Sequence, residues 1–402
     1  MDNPKTPYFL VDEARIVVSI QSIRSSLDRY WPNNAISYSV KTNSIPCVLK
    51  VISKLDVWAE VVSDAEYVLA QECGFSARQS ICNGPIKSDS FLKSAIESGA
   101  LINVDSVAEV IRVMQIAAGQ YVKLGVRLNA NDAIDSSDMM CGDGGSRFGV
   151  SERDGELRCL LDLVAENKNI SVSGIHLHCN TKGRRKENYA RLVEYFSKIV
   201  HQYDIKSIDV FDIGGSFGHD FDKQGNMFGL WPSWDDYFST IANELSKNGF
   251  SSRALKLIIE PGSSLISDAM DYYTTCLSRK TIFGKTWMQI DGSRIHIDPH
   301  FTRKSFLGTI ECIANLPVQK ERSQYFCSVL SGNTCLEKDR IYVDGHPLEC
   351  SPGDKLRFKR VGAYTYGLSP CMFITPPPEI WFMAKVGEMT RERMPQWIGK
   401  MH

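Results

Sequence analysis

The chain has 402 residues, 43% apolar and 23% charged, with a formal net charge of −1. These values describe a soluble globular protein of two domains, or one barrel with an added module, and they offer nothing to draw nucleic acid or an anionic membrane. The N-terminus has no apolar signal core, no run approaches the roughly 18 apolar residues of a membrane span, and the twelve cysteines include no CxxC pair, so reduced thiols in a cytoplasm are expected.

Thr6–Val11 has the pattern of a strand that begins at Pro7, and residues 13–29 place Ile16, Ile20, Ile23 and Leu27 at helical spacing. Strands are then expected at 36–40, 57–62, 79–82, 101–104, 122–128, 172–177, 208–213 and 256–260, with helices between most of them, for example 44–54, 64–73, 88–98 and 106–118. Eight strands alternating with helices make an α/β chain with the pattern of a (β/α)8 barrel, a TIM barrel; a doubly wound open sheet is the structural alternative. Beyond about residue 270 the segments 284–291, 324–331, 339–343, 354–361 and 371–374 are short and strand-like, divided by turns such as Asp344-Gly345 and Pro352-Gly353-Asp354. They predict a C-terminal β-sandwich or barrel-like domain, which the first strand joins. The expected division is a barrel over residues 20–268 and a β-domain from 1–19 plus 269–402, with residues 386–402 as a solvated tail or helix.

The expected barrel strands end in polar groups: Lys41, Glu60, Asn83, Asp105, Arg127, His178, Gly214-Gly215-Ser216 and Glu260-Pro261-Gly262. In a barrel, such ends open on one face, where active sites lie. Ile36-Ser37-Tyr38-Ser39-Val40 alternates apolar and polar residues and stops at Lys41, whose amine at a buried strand end is expected to have a lowered pKa and to act as a Schiff-base nucleophile. The Gly214-Gly215-Ser216 turn can cradle a phosphate or be a plain tight turn. Glu260 offers a carboxylate to a pyridinium nitrogen, and His178 shares a strand face with His176. Together these groups meet the needs of pyridoxal 5′-phosphate. No histidine spacing supports a metal site.

The chain resembles the fold type III pyridoxal-phosphate decarboxylases, the group of the ornithine, diaminopimelate and arginine enzymes. The likeness rests on Tyr38–Asn43, Glu60–Glu66, Ser146–Gly149, His176-Leu177-His178, Asp212–Ser216, Glu260-Pro261-Gly262, Cys335 with Asp339, and Gly362–Thr365. The resemblance implies that Lys41 carries the cofactor, His178 stacks on its ring, Glu260 pairs with its nitrogen, and Gly215, Ser216, Gly262 and Tyr364 surround its phosphate. Glu60, Arg127 and Ser263 join the expected cofactor site. It also implies a homodimer with shared active sites, in which Cys335 enters the partner's site and returns a proton to the carbon left by CO2.

Three departures bear on substrate. Leu336 stands where the family has an acidic residue for a distal ammonium, Ser263 replaces an arginine after Glu260-Pro261-Gly262, and Phe373-Ile374 lacks the usual asparagine. Positive groups, Arg294, Arg303, Lys304 and Lys338, occur near the expected substrate end. The resemblance is therefore nearer the siderophore- and antibiotic-pathway branch, whose substrates are conjugated, for example to citrate or a carrier protein. A decarboxylase of free diaminopimelate, ornithine or lysine, and an inactive regulatory homologue, are the alternatives.

Overall fold

The structure is a computed structural model that describes residues 4–141, 145–218, 231–301, 310–313, 325–342, 348–369, 377–385 and 387–392. Its first strand, β1 (Tyr8–Asp12), leads directly into α1 (Glu13–Tyr30), which is continuous across residue 20. Asp12 caps the helix by accepting from the Arg15 N–H at 3.2 Å, and Ile16, Ile20, Ile23 and Leu27 are buried along one face, as their spacing predicts.

Eight parallel strands follow and close into a barrel in chain order: β2 (Asn34–Ser39), β3 (Trp58–Val61), β4 (Ser80–Cys82), β5 (Leu101–Val104), β6 (Val122–Arg127), β7 (Ile170–His176), β8 (Val210–Asp212) and β9 (Lys256–Ile259). The intervening helices include Pro46–Ile52, Asp64–Glu72, Asp89–Ser98 and Val107–Ala117, each within a few residues of the expected span. The closed barrel replaces the open-sheet alternative.

The period of two along each strand organises the interior. Ala35, Ile81 and Ile258 form an apolar cluster against which Trp58, Leu101 and Val210 pack. Two residues further along the same strands stand Ser37, Asn83, Glu260, Glu60, Asn103 and Asp212. The barrel is thus plugged by hydrocarbon at one level and lined by polar groups above it, toward the C-terminal strand ends. Gly125 makes room for this layer: a Cβ there would lie 1.9 Å from Asn103 Oδ1.

The remaining strands form the second domain. β10 (Met270–Ile282), β11 (Lys285–Ile290), β12 (Ile310–Ile313), β14 (Val329–Ser331), β15 (Arg340–Tyr342), β17 (Lys355–Phe358), β18 (Glu379–Met383) and β19 (Met389–Arg391) make a nine-stranded sheet with β1, while β13 (Tyr325–Cys327) pairs with β16 (Leu348–Cys350). β1 lies between β10, antiparallel, and β18, parallel, so the N-terminal strand belongs to this sheet as expected. Of the expected tail or helix at 386–402, Met389–Arg391 is instead strand, where Phe382 pairs with Thr390, and residues 393–402 lie outside the described residues. The expected strand 371–374, with Phe373-Ile374, and residues Arg303 and Lys304 lie outside the described residues.

Candidate active site

The C-terminal strand ends surround a cavity of ≈ 340 Å³ whose wall includes Lys41, Glu60, Arg127, His178, Glu260 and Tyr364. Gly215, Ser216, Gly262 and Ser263 line it as well. Sequence positions 41 to 364 therefore meet in one space because barrel closure brings the strand ends to a common mouth.

Lys41 follows β2 in a single 3-10 turn, Val40–Thr42. Its Nζ donates to Glu60 Oε2 at 2.5 Å. Burial works to lower the amine's pKa, but Glu60 and Glu260 outweigh it and hold the ammonium above the ordinary lysine value. This corrects the expectation of a lowered pKa: the strand end is buried, yet its floor is acidic. Glu60, 1% exposed, also accepts from Ser39 Oγ at 2.5 Å and from Asn83 Nδ2 at 3.2 Å.

Asn83 Nδ2 also donates to Glu260 Oε1 at 2.7 Å, so one amide ties together the two carboxylates of the cavity wall. Behind Glu260 lie His176 and Asp212; the three residues are buried, and each brings an atom within 4.8 Å of the others. Burial pushes Asp212 well above the ordinary carboxylic value, and Glu260 adds to the shift. Burial alone would raise Glu260 too, but His176, Lys41 and a hydrogen bond with Asp212 overcome it and keep Glu260 below the usual range. The pair therefore divides its protonation: Asp212 holds a proton and Glu260 remains an anion. This trio has metal-ligand chemistry that no sequence spacing revealed, because its members come from three strands. Its oxygens already accept hydrogen bonds, Asp212 from Asn103 at 3.1 Å and from the Gly214 N–H at 3.0 Å, and Glu260 from Asn83.

His178 is fixed by the glycine turn: its Nδ1 accepts from the Gly215 N–H at 3.0 Å. Burial, reinforced by Arg127, pushes its pKa down to about 3, so the ring is neutral near pH 7 with its proton on Nε2. Two close approaches fix the glycines beside it. A Cβ on Gly215 would lie 2.3 Å from the Glu260 carbonyl oxygen, and one on Gly262 2.3 Å from Thr42 Oγ1. Ser216 and Tyr364, both lining the cavity, hold φ of 66° and 54°. The backbone here is thus shaped to a surface lined by the small residues Gly215, Ser216, Gly262 and Ser263.

The β-domain candidates lie elsewhere. Cys335 is exposed in the β14–β15 connection, with Leu336 half-buried and Lys338 exposed, and none of them lines the cavity of its own chain. Asp339 shapes this connection by accepting from the Thr334 N–H at 3.1 Å, Thr334 Oγ1 at 2.6 Å and the Arg294 N–H at 2.8 Å. Arg294 points its guanidinium at Asp298, 2.7 Å away, and, like Cys335, does not line the cavity of its own chain. Conversely, Asn83, Arg147, Asn180 and Arg184 line the cavity, although sequence reasoning assigned them no role. Arg147 lies inside the quoted Ser146–Gly149 motif, and Asn83 at an expected strand end, which were the available signals.

A family model described as "Pyridoxal-dependent decarboxylase, pyridoxal binding domain" matches residues 13–267. The L-glutamyl-[BtrI acyl-carrier protein] decarboxylase of Niallia circulans is 25% identical over 397 residues, covering 95% of this chain and 90% of that protein. A diaminopimelate decarboxylase of Helicobacter pylori is 25% identical over 366 residues, 90% of this chain and 86% of its own. Among solved structures, the diaminopimelate decarboxylase of Helicobacter pylori complexed with L-lysine superposes with a TM-score of 0.82 at 21% identity, covering 99% of this chain and 96% of that one. The arginine decarboxylase of Paramecium bursaria Chlorella virus gives 0.76 at 20% identity, covering 94% and 97%. These structural likenesses establish the shared fold.

Proposed function

This chain belongs to the pyridoxal-dependent decarboxylases, and we propose that it removes the α-carboxyl group of an amino acid already joined to another group. It is a pyridoxal-phosphate enzyme acting on amino acids. The observation that carries the assignment of residues is the convergence of Lys41, an anionic Glu260 and the glycine turns on one cavity.

The residues present fit the cofactor. Lys41 is an amine within the cavity for its aldehyde. Glu260 supplies a carboxylate for its ring nitrogen, kept negative by the proton on Asp212. Gly215, Ser216, Gly262, Ser263 and Tyr364 offer the concave backbone for its phosphate, and Glu60 and Arg127 complete the wall. His178, neutral and oriented by the Gly215 N–H, is suited to lie on the ring face. Pyridoxal phosphate bound there supplies an electron sink for the bond that releases CO2. The protein must then hold the substrate, exclude water and deliver a proton to the carbon.

We assign that proton to the thiol of Cys335, acting in the site of a second subunit. Its exposure outside its own cavity supports a homodimer with shared active sites. The conjugated substrate is supported by Leu336, which cannot pair with a distal ammonium, and by the relative whose name specifies a glutamyl group on an acyl-carrier protein. The pathway would be biosynthetic, of the siderophore or antibiotic kind, and cytoplasmic. No helix among the described residues is long and apolar enough to cross a membrane.

CO2 release by the purified protein tests this reading. The panel sets free ornithine, lysine, arginine and diaminopimelate beside their citryl- and acyl-conjugates. Turnover confined to conjugates is the expected result. Turnover of a free diamino acid would overturn the conjugate, and no CO2 from any substrate would overturn the decarboxylase.

A further inference from the structure

The two glycine turns of the cavity have room for a phosphate but little charge of their own. They follow β8 and β9, which are neighbours in the barrel. Several of their polar groups are already engaged. The Gly215 N–H donates to His178 Nδ1 at 3.0 Å, Ser216 Oγ to Asn180 Oδ1 at 2.9 Å, and the Tyr364 N–H to the Thr42 carbonyl at 2.9 Å. Ser263, which stands where the resemblance sets an arginine, brings a hydroxyl and no charge. A phosphate monoester carries about −1.5 to −2 of charge at pH 7. The cavity wall already contains the buried carboxylates of Glu60 and Glu260, so a phosphate here needs a cation beside it.

Arg184 is placed to be that cation. It stands on the connection between β7 and the helix Lys186–Gln202, and β7 is the other barrel neighbour of β8. Its Nη1 donates to the Phe217 carbonyl at 3.1 Å, one residue past Ser216, and its side chain lines the cavity. Lys41 is engaged by Glu60. Arg127 and Arg147 belong to β6 and the connection after it, two strands from β8, and Arg127 lies 3.7 Å from Asp105.

The fold braces Arg184 at several points. Its φ of 42° is a left-handed conformation, which a plain turn would give to glycine. The Arg184 N–H donates to Thr181 Oγ1 at 3.1 Å, and its carbonyl accepts from the Tyr237 hydroxyl at 2.5 Å. The same hydroxyl accepts from the Gly218 N–H at 3.0 Å. One phenol thus ties the backbone of Arg184 to the chain that runs on from Ser216. The Trp231 ring lies 5.6 Å from the guanidinium carbon. An arginine held in a glycine conformation, with its side chain at the cavity, points to a use for its charge.

We propose that Arg184 supplies the positive charge for the phosphate of the cofactor, in place of an arginine at position 263. The assignment rests on the placing of the phosphate at the glycine turns. It adds to them the group that distinguishes the phosphorylated cofactor from pyridoxal.

The test measures binding of pyridoxal 5′-phosphate and of pyridoxal to the cofactor-free wild type, Arg184→Gln and Arg184→Lys, by the absorption of the lysine-bound cofactor. Pyridoxal keeps the aldehyde and the ring nitrogen and lacks the phosphate, so it reports on Lys41 and Glu260 alone. Arg184→Gln should weaken pyridoxal phosphate by about tenfold or more, the size of one lost charge-assisted pair, and leave pyridoxal unchanged. Arg184→Lys should retain part of the affinity. In the holo-proteins, phosphorus NMR should show the bound phosphate titrating at higher pH in Arg184→Gln than in the wild type, because a nearby cation favours the dianion. Unchanged affinity for pyridoxal phosphate, an equal loss for pyridoxal, or an unmoved phosphorus titration in Arg184→Gln overturns the assignment. Gly215→Ala on the same two ligands separates this claim from the placing it rests on. If Gly215→Ala weakens the phosphorylated ligand alone and Arg184→Gln does not, the turns hold the phosphate without Arg184. If Gly215→Ala treats the two ligands alike, the phosphate does not lie at these turns, and the assignment falls with that placing.

Discussion

Lys41 Nζ stands 2.5 Å from Glu60 Oε2, and that contact sets the charge of the amine before any cofactor arrives. Only the neutral amine attacks an aldehyde, and the acidic floor holds the ammonium above its ordinary pKa against the pull of burial. Capture of pyridoxal phosphate by the cofactor-free protein should therefore accelerate as pH rises. In Glu60→Gln the opposing charge is removed, so the midpoint of that acceleration should move to lower pH. Stopped-flow absorption of the lysine-bound cofactor measures it, with Lys41→Ala as the silent control. An unmoved midpoint in Glu60→Gln would refute the coupling.

His178 makes a second pH prediction. Its folded pKa of about 3 lies below the ordinary 6.5, so the unfolded chain binds the proton more readily. The contribution to stability is full above pH 6.5 and is lost progressively as pH falls toward 3. Urea unfolding at pH 7 and pH 5 should show a smaller loss for His178→Phe than for the wild type. Equal losses in the two proteins would mean that the imidazole is not buried neutral.

Gly215→Ala adds a methyl group that meets the Glu260 carbonyl oxygen at 2.3 Å. The turn can yield only by breaking the Gly215 N–H contact to His178 or the Tyr189 hydroxyl's donation to the Gly215 carbonyl at 2.9 Å. Affinity for pyridoxal phosphate should fall by at least about tenfold, the size of one or two lost hydrogen bonds, while far-ultraviolet circular dichroism stays native. Wild-type affinity would show that this turn does not cradle the phosphate.

Lys87 carries a prediction about the scaffold. Fully buried, its Nζ donates to Glu109 at 2.8 Å, to the Asn103 carbonyl at 2.9 Å and to the Gly84 carbonyl at 3.0 Å, which holds the Asn83–Pro85 wall of the cavity. Lys87→Met leaves Glu109 charged without its partner, and unfolding free energy should drop by about 3–5 kcal/mol. Lys87→Met with Glu109→Leu should recover much of the loss. A single variant as stable as the wild type would show that water replaces the lysine.

The local pattern made much of this protein legible in its sequence. Alternation at Ile36–Val40 marked one strand, and short apolar runs alternating with helical spacing marked the other seven, because the strands of a parallel barrel are buried on both faces. The polar groups Lys41, His178 and Glu260 were visible because each follows the end of such a run. Tertiary structure decided what these ends do to one another. Asn83 bridges Glu60 and Glu260, and Asp212 protects the charge of Glu260, across strands that only barrel closure brings together. Closure also reversed the expected shift of Lys41, since a pKa depends on the charges facing a group and not on its own segment alone. The same holds for the arginines. Arg294 and Arg184 are alike as letters in a sequence, but a carboxylate one helical turn away engages the first, while the Phe217 carbonyl and the Trp231 ring hold the second at the cavity.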